Sequence, residues 1–97
     1  MSQSNLTSTM TIPCTVSLGM FSTERGVLIN LPGGGTVSAL VDRRDVIIDK
    51  EPPPGGQVQG RVHVVVVEAK DDSVIVDLPQ PGLMSGPRLR VPKAFVR

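Results

Sequence analysis

The stretch that most constrains this chain is "GRVHVVVVEAKDDSVIVDLP", in which four consecutive valines, Val64 to Val67, lead through a charged segment into a second aliphatic run. Branching at Cβ crowds a helical backbone and suits a pleated one, so a run of this kind specifies strand. A strand with one face in water alternates apolar and polar residues. Here both parities are aliphatic, and both faces need cover. The rest of the chain is cut into short runs by nine prolines and ten glycines, and it has no tryptophan or tyrosine. Interruptions at that density favour short strands and sharp turns over helices. The expected class is all-β: a small antiparallel β-barrel or two-layer sandwich of six to seven short strands, with no significant helix.

Residues 1–10 are rich in Ser, Thr, Asn and Gln. They have little to bury and read as a flexible polar tail. From Thr11, the residues Ile12, Cys14, Val16, Leu18 and Met20 share one parity against Thr11, Pro13, Thr15, Ser17 and Gly19, which is the alternation of a half-buried strand. Pro13 has no amide donor and points to an edge or entry position. In "RGVLINLPGGGTVSALVD", Val27, Ile29 and Leu31 face one way and Val37, Ala39 and Val41 return, with Pro32 and three glycines between them as a hairpin turn. A phosphate-cradling loop would need a different glycine spacing and a following helix, whereas a β-branched run follows. After the mixed-charge "VDRRD" comes the apolar trio Val46-Ile47-Ile48. A Pro/Gly-rich connector at 49–57, expected to be extended and solvated, then separates two halves. Neither half has enough strands for a stable core, so residues 11–97 are expected to form a single β domain.

The hairpin of residues 62–68 with 73–78 admits two registers. A three-residue loop sets Val62, Val64 and Val66 with Val74, Val76 and Leu78, leaving Val65, Val67 and Ile75 on the other face. A two- or four-residue loop puts Val65 and Val67 with Val74, Val76 and Leu78, and leaves Val62, Val64, Val66 and Ile75 opposite. Asp71 and Asp72 tolerate several turn types, so both registers stay open. Either way three or four aliphatic side chains lie away from the first core, each worth about 1.5–3 kcal/mol if buried. Their cover is a second layer of the same chain, a symmetric copy, or a different partner. Leu28 and Leu40, which point away from their hairpin's main face, favour an interface.

Catalytic chemistry finds little support. His63 is the only imidazole and lies on a strand face, with Glu68, Asp77 and Asp42 as possible neighbours but no motif tying them together. Cys14, the single cysteine, sits on the apolar parity as a buried, inert thiol, and no His/Cys spacing suits a metal. No enzyme, cofactor or metal site is expected. The N-terminus lacks a secretory pattern and no run approaches the roughly 18 apolar residues of a membrane span. The reading is of a soluble cytoplasmic protein without a membrane partner.

Charge is uneven. Residues 1–78 carry minus three, while 79–97 carry plus four from Arg88, Arg90, Lys93 and Arg97 and contain no acid. Arg88 and Arg90 share a strand face about 7 Å apart, a spacing that could follow a nucleic-acid backbone. Against this, the whole chain is only +1 and stacking aromatics are limited to Phe21 and Phe95. The arrangement is similar in outline to SH3-like barrels, with short strands and no helices, and no function is carried over from that likeness. The leading expectation is a small non-enzymatic protein-interaction module that associates with itself as a homodimer, or with another protein, through Val65, Val67, Ile75 and His63. The alternative is a nucleic-acid-binding barrel that uses Arg88, Arg90, Lys93 and Arg97 with Arg61.

Overall fold

The structure, a computed structural model, describes residues 10–79 and 87–97. Seven strands form one antiparallel sheet curled into a half-barrel: β1 (Met10–Leu18), β2 (Glu24–Asn30), β3 (Thr36–Asp42), β4 (Val46–Ile47), β5 (Val58–Lys70), β6 (Ser73–Asp77) and β7 (Arg88–Pro92). The order across the sheet is β3-β2-β1-β5-β6-β7, with β4 paired to β5. Single 3-10 turns at Arg43–Asp45 and Lys93–Phe95 are the only helical elements among the described residues. The all-β expectation holds, and of its two forms one continuous curled sheet is found, not two stacked layers.

Alternation sets the core. Ile12, Cys14 and Val16 of β1 face inward with Val27 and Ile29 of β2, Val41 of β3, Val62 and Val64 of β5, Val74 and Val76 of β6, and Leu89 and Val91 of β7. The β2–β3 hairpin has the expected register, with Val27 opposite Ala39 and Ile29 opposite Val37. Gly34 and Gly35 take φ of 108° and 87° in its turn, where a side chain would be strained. The alternation of β1 does not run as far as its apolar residues do. Leu18 and Met20 lie outside the core, Met20 at 89% exposure, because the chain turns after Leu18. Of the tail expected over residues 1–10, Met10 belongs to β1 opposite Val64, and residues 1–9 lie outside the described residues.

Pro13 sits inside β1 and loses no ladder bond. Thr11 exchanges both backbone hydrogen bonds with Arg97, on the edge away from β5. Two residues on, the amide that Pro13 lacks would point to that same edge. It falls in the gap between Arg97 and Thr15, where pairing with β2 begins.

The connector is exposed over most of its length, as expected of a solvated segment, but it is docked at Glu51 and Pro52. Pro52 is buried, and the Glu51 carboxylate accepts from Arg25 Nε at 3.0 Å and Nη2 at 2.6 Å. Arg25 occupies an inward position of β2 at the end of the core, and its Nη1 donates to the carbonyls of Ser22 and Glu24. A guanidinium so enclosed needs an anion, and the connector supplies it.

Neither register expected for the β5–β6 hairpin holds along its whole length. Lys70 and Ser73 close a two-residue turn, with Asp71 at φ 53°, a region aspartate visits more readily than most residues. Continued regularly, that turn would point Val65 and Val67 inward. The β1 ladder, however, has already committed Val62 and Val64 to the core, opposite Ile12 and Met10. The conflict is resolved by a bulge. Val66 pairs with Val76 and Glu68 with Ile75, so Val67 is an extra residue with no partner of its own. Val62 and Val64 are therefore buried in the core before the bulge, while Val66 and Ala69, opposite Val76 and Val74, lie exposed beyond the end of the core.

Candidate protein interface

Outside the curl, the outward residues of β5 begin polar, with Gln59, Arg61 and His63 opposite Thr15, Pro13 and Thr11. They then turn aliphatic. Val65 is 64% exposed, and Val67, at the bulge, is 44% exposed. Three complete rows cross the outer face beyond this point: Val65–Asp77–Arg88, Glu68–Ile75–Arg90 and Lys70–Ser73–Pro92. Ile75 is half-buried between charged neighbours, and a small depression there is lined by Glu68, Lys70, Ser73, Ile75 and Arg90. The structure thus brings His63, Val65 and Ile75 to one face, with Val67 at the bulge beside them. Glu68 was not legible as a member of this surface, because the bulge that aligns it with Ile75 leaves no separate mark in the sequence.

His63 is half-buried, and its Nδ1 is enclosed without a hydrogen-bond partner. Burial and the nearby Asp42 raise the Asp45 carboxyl above the usual aspartate range, against the lowering effects of His63 and Arg44. Among the described residues no group of three or more His, Cys, Asp or Glu side chains is placed to hold a metal ion. Cys14 is the buried thiol expected, its pKa pushed up to about 11 by burial, with Arg61 opposing the rise.

The basic residues are dispersed. Arg88 donates to both Asp77 oxygens, at 2.8 and 3.1 Å, and this pairing holds the Asp77 carboxyl below its usual range. Arg90 follows on the same outer face of β7. Lys93 starts the 3-10 turn, where its amide donates to the Asp72 carbonyl. Arg97 lies at the far edge of β1 beside Arg61, which donates to the Thr11 hydroxyl at 2.7 Å and to the Thr11 carbonyl. Burial first, then the charge of Arg97, lowers the Arg61 pKa from its usual value.

Two open depressions lie elsewhere. One, of about 400 Å³, crosses the outer face of β1–β3 over Gly26 between Leu28 and Leu40. The other, of about 440 Å³, separates the Gly33–Gly34 turn from Arg90, Val91 and Pro92. Among the described residues no helix is long and apolar enough to cross a membrane. No family model, curated protein or solved structure matches the chain.

Proposed function

We propose that this protein is a non-enzymatic interaction module that associates with itself through the outer face of β5 and β6. One observation carries the reading: where the outward positions of β5 would continue polar, Val65 on regular backbone and Val67 at the bulge stand in water. Covering each is worth about 1.5–3 kcal/mol at full burial. That is a large share of the roughly 5–15 kcal/mol that holds a domain of this size together. Aliphatic residues at the centre with charged residues at the margin is the composition of a protein interface. In this reading the protein works in the cytoplasm, which its lone, buried free thiol suits.

Light scattering tests it. The chain is expected to elute near twice its 10.3 kDa monomer mass, and Val65→Lys to return it to the monomer with its fold intact by circular dichroism. A parent protein that stays monomeric at high concentration would refute the reading. The nucleic-acid alternative has less support, since Asp77 already answers the charge of Arg88 and Arg97 lies at the far edge of β1. Its test is oligonucleotide binding that weakens steeply with salt and vanishes in Arg88→Glu/Arg90→Glu.

A further inference from the structure

The charges around Ile75 are arranged asymmetrically across the sheet. Glu68 lies on one side of Ile75, on β5, and Arg90 on the other, on β7. At about 4.8 Å per strand, they stand about 10 Å apart with Ile75 between them. Neither forms an ion pair among the described residues, whose ion pairs are Arg25–Glu51, Arg44–Asp42 and Arg88–Asp77. Both border the depression over Ile75. A row reading acid, aliphatic, base can match itself once it is turned end for end.

We propose that two copies of this chain pack outer face to outer face about a two-fold axis parallel to β6 and centred on Ile75, with Glu68 of each copy against Arg90 of the other. The proposal rests on the self-association reading and adds the geometry of the contact. A closed, symmetric face-to-face pair has its axis in the plane between the two sheets. An axis across the strands would set Glu68 against Glu68 and Arg90 against Arg90. Turning it parallel to β6 exchanges the β5 and β7 sides, so each acid meets a base and Ile75 meets Ile75. Sheets packed this way lie about 10 Å apart, a gap that a glutamate and an arginine reaching toward each other can span.

The neighbouring rows are compatible. Val65 comes over the aliphatic stem of Arg88 of the second copy, and Lys70 over Pro92. Asp77 meets Asp77 near the axis, but each is already neutralised by its own Arg88.

Sedimentation equilibrium on the full chain separates this geometry from self-association in general. Glu68→Arg and Arg90→Glu are each expected to raise the dimer dissociation constant about tenfold or more, since each creates like-charge contacts twice over. The exchange Glu68→Arg/Arg90→Glu is expected to return it to within about threefold of the parent. Melting curves confirm that the variants fold. If the parent dimerises and Val65→Lys disrupts it while the charge reversals do nothing, this arrangement is wrong and self-association stands. Reversals that weaken the dimer without rescue by the exchange also overturn it. A parent that remains monomeric up to about 1 mM, as it would if a different protein covered this face, overturns both.

Discussion

Glu51→Ala isolates what the docked connector contributes. The Arg25 side chain is 6% exposed and its Nε and Nη2 both donate to one Glu51 oxygen, whereas Nη1 keeps the Ser22 and Glu24 carbonyls. Removing the carboxylate leaves two enclosed donors facing no acceptor. A fully buried ion pair broken from one side loses about 3–5 kcal/mol. Glu51 is itself 63% exposed, so its charge is partly hydrated before the change and water can enter after it. The expected loss is therefore that of hydrogen bonds to a charged group, about 1.5–3 kcal/mol. For a domain of this length that lowers the melting temperature by about 6–24 °C. Amide exchange should also quicken across residues 49–57. Glu51→Gln keeps an acceptor oxygen and should fall between parent and alanine variant. A Glu51→Ala protein melting within about 2 °C of the parent would show that the connector is held by something other than this pair.

Three other outcomes follow from the packing and the titrating groups. A Cβ at Gly60 would lie 2.5 Å from Ile48 Cγ2 and 2.7 Å from the Ile47 carbonyl oxygen; Gly60→Ala should therefore push β4 from β5 and cost about 1–3 kcal/mol in urea denaturation, whereas Gly33→Ala, with open space around it, should be near neutral. Cys14, raised from 9.0 to about 11, should resist a thiol reagent at pH 8 until the protein is unfolded. Its proton is held more tightly in the folded state, so stability should decline as pH rises between those two values, and Cys14→Val should lack that decline. Asp45 is held above the ordinary aspartate range by burial and Asp42, which disfavours the folded state once the carboxyl ionises. Asp45→Asn should thus raise the melting temperature at pH 7, with the gain disappearing as pH falls below that range.

Where one strand answers to one neighbour, side-chain parity was enough to read it. Val27, Ile29, Val37 and Ala39 could be assigned to a face and a register because the glycine turn links them directly. β5 is different, because its two halves answer to different neighbours. The β1 ladder selects Val62 and Val64 for the core, the Asp71–Asp72 turn sets Ala69 opposite Val74, and only an inserted residue satisfies both. Four identical valines give no hint of which one is extra. The Arg25–Glu51 pair was hidden for another reason: 26 residues separate its members, and a glutamate before three prolines looks like any solvated charge. On the candidate surface, Ile75 lies outward in both of the registers that alternation allows, whereas Val65 and Val67 do so in only one of them. Glu68 and Arg90 could not be set on either side of Ile75 until the bulge had fixed the alignment.

The exchange of hydrogen bonds between Thr11 and Arg97 joins positions 86 residues apart. On a ribosome, β1 can therefore meet β2 early, yet its other margin waits for β5, and the remainder of the β2 margin, at Thr11, waits until the segment after β7 is made. Until then a stretch bearing Ile12 and Cys14 is half dressed. Closing so large a loop is slow compared with forming local hairpins. Folding of this molecule should accordingly be paced by that late closure, and a variant lacking residues 93–97 should be a better chaperone client than the chain that retains them.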